Sequence, residues 1–426
     1  MIDQTQPQSG AGKTVVVIGA GILGVSTAIW AQRAGHHVIL VDREGPAAGA
    51  SAGNAGLLAS SAVVPVNTPD LWTKAPGMLL DPESPLFLRW SYLPRMIPWL
   101  AQFMAKATDK QARAAARALY PIIGDSLADH QALAAGTGAE RYIVPTDYLY
   151  MYKDRAAYQA GGYAWDIKTS LGFIPREVEG AELRALEPAL SEGAVGFAAA
   201  VPNHGRISDP AAYVRALADH VVTNGGQLIK GEVQGVAREN GHVTGVRVDG
   251  DLIACDRAVI TAGAWSGPLA RDLGLKVPLD TERGYHIELW NPSQMTNHPS
   301  MISAGAFVIT PMEGRLRLAG IVELGGIKAG PSRAPFNLLR KHLARVMPDL
   351  TWEEETEWMG FRPTLPDALP VIDAVPGVKG AFVGFGHQHV GLTGGAATGR
   401  LLAQMLSGQV PNLDLSPYSL SRFGNR

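Results

Sequence analysis

The chain has 426 residues, 46% hydrophobic and 18% charged, with a formal net charge of −2; that length suits two domains and that balance a globular protein. The charge excludes a nucleic-acid binder, which needs a basic surface against phosphates. A single cysteine, Cys255 in the apolar run LIACDRAVI, excludes an internal disulfide framework and a cysteine-rich metal cluster, and reads as a buried thiol.

Residues 1–12 are polar, lack the basic start and apolar core of a targeting segment, and read as a loose tail, which leaves a cytoplasmic location. SGAGKT (Ser9–Thr14) is no phosphate loop, because the pattern needs glycine where Pro7 stands and a strand before it. The next segment, TVVVIGAGILGVSTAIWAQRAGHHVILVD, reads as strand, turn, helix to Gly35, and a second strand ending at Asp42. Gly19 permits the tight turn, Gly21 lets backbone approach a pyrophosphate, and Gly24 lets helix and strand pack closely. The helix start, with Ile22 and Leu23, offers unpaired N–H groups and a positive dipole end to phosphates. Asp42 lies roughly 20 residues on, where a carboxylate meets a ribose hydroxyl. These parts together point to a bound dinucleotide.

Asp42–Ala59, DREGPAAGASAGNAGLLA, is rich in Gly, Ala, Ser and Asn, as expected of backbone wrapped around an extended ligand. An NAD enzyme would go straight on to another helix and strand, so the stretch favours FAD. Phe87–Ala107 sets Trp90, Tyr92, Trp99 and Phe103 beside Arg89, Arg95 and Lys106, a mixture that suits either a membrane interface or a packing helix broken by Pro94 and Pro98. No run reaches the roughly 18 apolar residues of a spanning helix. DKQARAAARALYPIIGDSLADHQALAAGTG is Ala-rich and helical; TDYLYMYKD and GYHIELW alternate like strands of an antiparallel sheet. Strand pairs turn at Asn240-Gly241 and Asp249-Gly250, FVITPMEGRLRLAGIVE is a hairpin around Glu313-Gly314, and PFNLLRKHLARVMPDL is an amphipathic helix. GAFVGFG is a strand, and GLTGGAATGRLLAQML a helix with small residues at its start.

Several of these segments, in order, resemble the D-amino-acid oxidase and dehydrogenase family of flavoproteins. They are Gly19–Gly24 with Asp42, Ser51 with Gly53–Gly56, GRISDPAAYVRAL, VITAGAWS, TERGYHIEL, GFRPTLPDALPVI and GFGHQHVGLTGGAATGRLLAQML. Bacterial D-amino-acid dehydrogenases look nearest, with similarity to hydroxyproline dehydrogenases and glycine oxidases. The resemblance implies an α/β chain, with a discontinuous Rossmann-like FAD-binding domain over 13–70, 200–280 and 356–426. An α+β substrate domain with a mixed or antiparallel sheet takes 71–199 and 281–355. It implies FAD contacts at Arg43, Ser51, Asn54, Ala55, Gly56, Leu57, Val233, Ala262, Gly263, Trp265 and Gly386, besides Gly19, Gly21, Ile22, Leu23, Gly24 and Asp42. Val390, Gly391, Leu392 and Thr393 would bring the last helix start to the flavin's pyrimidine edge, where a positive dipole end stabilises the reduced ring.

On the substrate side the resemblance gives Arg362 the substrate carboxylate, which a guanidinium grips with two donors. Tyr285 falls where a substrate-side aromatic is expected, with a core tyrosine as the alternative. His389 lies where relatives vary the residue above the flavin, some using it for a second carboxylate; His387-Gln388-His389 has no nearby acid or cysteine, so no metal is expected. The implied reaction is hydride transfer from Cα of a small apolar or proline-like D-amino acid to flavin N5, giving an imine and then a keto acid. No side-chain base is needed once the amine is neutral. Electrons would pass to quinone or O2, with peripheral contact at the inner face of the cell membrane through Phe87–Ala107 as one route. An oxygen-using oxidase of glycine or N-methyl amino acids, or a flavoprotein subunit of a heteromeric opine-, sarcosine- or hydroxyproline-oxidising complex, is the alternative. Oligomeric state stays open.

Overall fold

The computed structural model describes residues 12–81 and 83–425. The tail expected over 1–12 lies outside them apart from Gly12, whose N–H donates to the Gly35 carbonyl.

Two large sheets organise the chain. The first has six strands in the order Val371–Ala374, Ala381–Phe385, Arg257–Ile260, Thr14–Ile18, His37–Asp42 and Gln227–Lys230. All neighbours run parallel except the first two. A parallel sheet is covered on both faces and so needs uninterrupted apolar strands; Val15, Val16 and Val17 are all fully buried. Helices Ile22–Arg33, Pro210–Thr223 and Gly395–Leu406 pack on one face. The other meets a three-stranded meander, Val233–Glu239, His242–Val248 and Asp251–Ala254. Its turns at Asn240-Gly241 and Asp249-Gly250 take positive φ at both residues, as tight hairpins require. Cys255 is buried behind it, and burial pushes its thiol up to about 11.

The second sheet is mixed. Its order is Glu354–Thr364, Asp280–Trp290, Arg315–Leu324, Phe307–Met312, Ser300–Ile302, Ile143–Tyr152, Phe197–Ile207 and Leu57–Leu58, with Leu86–Leu88 and Arg176–Glu179 paired at its sides. Helix Arg333–Val346 closes a core on one face. The α/β class with a parallel sheet and a second mixed sheet is thus present. The boundaries differ in detail: Leu57–Leu58, Phe197–Ile207 and Glu354–Thr364 hydrogen-bond into the second sheet, although the expected division puts much of them with the cofactor domain. Period-two alternation identifies a strand, not its partners.

Within Phe87–Ala107, helix Leu93–Ala105 buries Met96 and Trp99 against Leu324, while Trp90 and Ile97 stay exposed. No described helix is long and apolar enough to cross a membrane. The last long helix begins at Gly395, after a 3₁₀ turn over Gln388–Val390, later than its sequence pattern suggests.

Candidate active site

A cavity of about 900 Å³ is lined by residues of both sheets. Its cofactor end is shaped by backbone. Gly19 has φ +106, and a Cβ there would stand 2.7 Å from the Thr261 carbonyl oxygen; a Cβ on Gly24 would stand 1.7 Å from that of Gly19. Only glycine fits either place. Asp42 braces the turn: one carboxylate oxygen accepts the Ala20 N–H at 2.8 Å, the other those of Glu44 and Gly45 at 2.9 Å. Ser51 Oγ accepts the Ile22 N–H at 2.9 Å, which ties the GNAG segment to the helix start. Asn54 then holds its own loop, donating to the Ser51 carbonyl and accepting the Gly56 N–H. The Arg43 guanidinium lies 4.9 Å over the Trp265 ring, which meets Phe361 edge-on.

The C-terminal contribution is fixed from a distance. His130 Nε2 donates to the Leu392 carbonyl at 2.8 Å and Ser126 Oγ to the Thr393 carbonyl at 2.7 Å. Helix Gly395–Leu406 then crosses Ile22–Arg33 in close contact, since a Cβ on Gly399 would stand 2.4 Å from that of Ser26. The starts of both helices therefore open on one cavity. Of the residues expected at the cofactor, all line it except Gly24 and Gly56, which shape the backbone beside it.

The part of the cavity where a substrate is expected is built from strand Asp280–Trp290 and its neighbours. Glu282 and Arg362 lie directly opposite one another on adjacent strands, followed by Gly284 opposite Gly360 and His286 opposite Trp358. Cross-strand partners share a face, and of these six all but His286 line the cavity. The Arg362 guanidinium lies over Gly284, where a Cβ would come within 2.9 Å of it. Among the described residues it makes no ion pair; burial lowers its pKa and the charge of Glu282 partly offsets this. Burial raises the pKa of Glu282 against the opposing pull of Arg362 and Thr364. His389 turns exposed ring surface into the cavity although protein surrounds it, and burial, then the Arg362 charge, hold it down to about 4. His387 bonds Thr398 Oγ1 at 2.9 Å instead.

Tyr285 takes the alternative place. Its ring is 1% exposed and packs edge-on against Phe336, and its hydroxyl donates to Glu323 at 2.6 Å and accepts the Ser332 N–H at 3.0 Å. It borders the cavity with its hydroxyl committed to the core side, an arrangement that suits the core-tyrosine alternative. Glu282, Trp358 and Lys168 are among the cavity residues that escaped the sequence reading. Glu282 and Trp358 are legible only once strand pairing is known. Lys168, whose Nζ lies 3.5 Å from the Tyr150 ring centroid, carries no motif at all.

Over residues 14–405 the chain matches the family described as "FAD dependent oxidoreductase", DAO. It belongs to this family. It is 37% identical over 419 residues to a D-amino-acid oxidase of Bradyrhizobium diazoefficiens, covering 97% of this chain and 99% of the relative. It is 29% identical to a D-amino acid dehydrogenase of Rhizobium rhizogenes over 96% of this chain and all of that one (100%). Glycine oxidase from Bacillus cereus has the same fold, with TM-score 0.74 at 21% identity, 95% of this chain and 97% of that one. This FAD-dependent oxidoreductase offers a fitting site for its cofactor. The close approach at Gly19 and Gly21, the helix start beside it and the Asp42 carboxylate suit a diphosphate and ribose.

Proposed function

We propose that this enzyme oxidises D-amino acids at Cα to an imine, which water converts to a keto acid and ammonia, the electrons passing on to quinone or O2. The observation that carries this reading is the Arg362–Glu282 pair: opposite charges side by side on the cavity wall, without an ion pair between them. Arg362 grips the substrate carboxylate with two donors and fixes its orientation. Glu282, across the strand pair, faces the amino group and accepts a hydrogen bond from it. Glu282 is buried and Arg362 half-buried, so water competes weakly for the substrate's charged groups. FAD, when bound, supplies the two-electron acceptor. The names of the relatives support the D configuration.

The test is anaerobic bleaching of the flavin absorbance by paired D- and L-amino acids. Bleaching by D-enantiomers alone is expected. If every D-amino acid fails while an N-methyl glycine succeeds, the N-methyl amine oxidase reading takes its place. Peroxide formed per turnover, against dye or quinone reduced, then separates an oxygen-using enzyme from a dehydrogenase.

A further inference from the structure

The second sheet holds the segment Ala52–Ala55 by its carbonyls. Arg317 Nη1 donates to the Ala52 carbonyl at 3.0 Å and also to that of Asn54. The His286 ring donates to the Gly53 carbonyl at 2.9 Å, and Thr310 Oγ1 to that of Ala55 at 2.8 Å. Thr310 and Glu288 each stand directly opposite Arg317 on its two neighbouring strands, so these side chains form one row on one face. Arg317 is buried, and its Nε and Nη2 close on one Glu288 oxygen at 3.0 and 2.7 Å. A planar guanidinium held at one edge by a carboxylate presents its other edge in a set direction.

None of these peptide bonds is cis, and a trans peptide points its N–H away from its carbonyl. The carbonyls of Ala52, Gly53 and Asn54 turn to the sheet, so the N–H groups of Gly53, Asn54 and Ala55 turn away from it. Among the described residues these three N–H groups have no partner, and all three residues line the cavity. The next N–H, of Gly56, is taken by the Asn54 side chain. Successive free N–H groups make a seat for electron-rich atoms. A hydrogen bond to a carbonyl also polarises its peptide and strengthens the N–H at the far edge; in two of the three peptides that bond comes from Arg317. The neighbours of this loop fix its place along the cavity. On one side Ser51 is tied to the helix start that suits the diphosphate. On the other, a Cβ on Gly53 would stand 2.2 Å from the Trp358 indole, and that indole also covers Gly360, two residues before Arg362. The loop therefore stands between the seats of diphosphate and substrate, the span that a redox ring must occupy to take electrons from the substrate.

We infer that Arg317 is a positioning residue for the flavin: by holding the Ala52 and Asn54 carbonyls it aims the Gly53 and Ala55 N–H groups at the ring and so raises the ring's affinity for electrons. This rests on the FAD cofactor and holds whichever amino acid is oxidised. Reduction adds negative charge to the ring, and donors fixed in advance stabilise that charge without reorganising. Arg315 supplies the internal contrast. It bonds the same Glu288 oxygen at 2.6 Å and pairs with Asp209 at 3.3 Å, but among the described residues it touches no carbonyl of the loop.

The experiment measures the two-electron reduction potential of the bound flavin, by equilibration with a dye of known potential, in the wild-type holoenzyme and in Arg317→Met, Arg317→Lys and Arg315→Met. Arg317→Met should shift the reduction equilibrium at least tenfold toward the oxidised flavin, a fall of about 30 mV. Arg317→Lys keeps the charge but cannot hold Glu288 and both carbonyls at once, so its potential should fall between the two. Arg315→Met breaks the same buried ion cluster; it should lower the melting temperature and leave the reduction equilibrium within twofold of wild type. Flavin absorbance and melting temperature establish that each variant is folded and loaded; if Arg317→Met is not, Arg317→Lys carries the test, with a shift of threefold or more expected. A loaded Arg317 variant with the wild-type potential overturns the assignment, because Arg317 then only holds the sheet together. Equal falls in Arg317→Met and Arg315→Met overturn it as well, because the charge of the cluster and not the aim of the loop then sets the potential.

Discussion

The two faces of the paired strands Asp280–Trp290 and Glu354–Thr364 use similar residues to opposite ends. On the core face Arg283 is fully buried; it pairs with Glu323 and donates to the carbonyls of Ala329 and Gly330. Tyr285 joins the same cluster through Glu323. On the cavity face Arg362 stands opposite Glu282 and, among the described residues, forms no ion pair. A guanidinium bonded to its own protein holds the fold; one whose donors are left over is kept for something that arrives. The contrast predicts that core-face changes act on stability and cavity-face changes on catalysis.

The largest effect expected is for Glu323→Ala, which leaves Arg283 buried without its counter-ion and should cost about 3–5 kcal/mol in urea denaturation. A loss below about 1 kcal/mol would mean that water or a shifted carbonyl replaces the carboxylate. Next is Arg362→Leu. It should lower kcat/KM for carboxylate substrates by about 2–3 kcal/mol, roughly 30- to 150-fold, with stability unchanged or raised because a buried unpaired charge is gone. Unaltered kinetics would remove Arg362 from the site. Tyr285→Phe is smaller and opposite in kind: about 1.5–2 kcal/mol of stability for the lost bond to a carboxylate, with KM unmoved. A KM change without a stability change would return Tyr285 to the substrate.

How much of this is legible in the sequence depends on how local the physics is. The glycine turn is legible because Gly19, Gly21, Gly24 and Asp42 lie within one strand–helix–strand unit, where backbone geometry requires glycine at 19 and 24 and the Asp42 carboxylate accepts the Ala20 N–H. The last helix is legible as a helix but not in its start: the Leu392 and Thr393 carbonyls are held by His130 and Ser126, far away in sequence. Tyr285 shares its parity with Ile287 and Leu289, and that apolar set marks the core face, a signal that favours the core alternative its motif leaves open. Glu282 and Arg362 are neighbours only through pairing register, which no single strand reveals. Lys168 enters from a helix outside the sheet, and nothing in WDIKTS announces a cavity.

The smallest effect concerns the cavity-face strand residue His286. It is 3% exposed, stacks on Trp358 at 5.0 Å, and its Nδ1–H donates to the Gly53 carbonyl at 2.9 Å. Burial first, and then the charge of Arg317, hold its pKa down to about 3. In the unfolded chain an imidazole takes its proton near pH 6.5. Between these limits the unfolded state binds a proton that the folded state refuses. Stability is therefore full above about pH 6.5 and falls on acidification by about 1.4 kcal/mol per pH unit from this one group. His286→Gln removes the titration, so its stability should fall less steeply than that of the wild type by about that slope between roughly pH 6 and 5. Parallel slopes in the two proteins would show that His286 is protonated while folded. The Trp358–His286–Gly53 stack would then admit water, and the cavity face would be wetter than a site that leaves charges unpaired for a ligand can be.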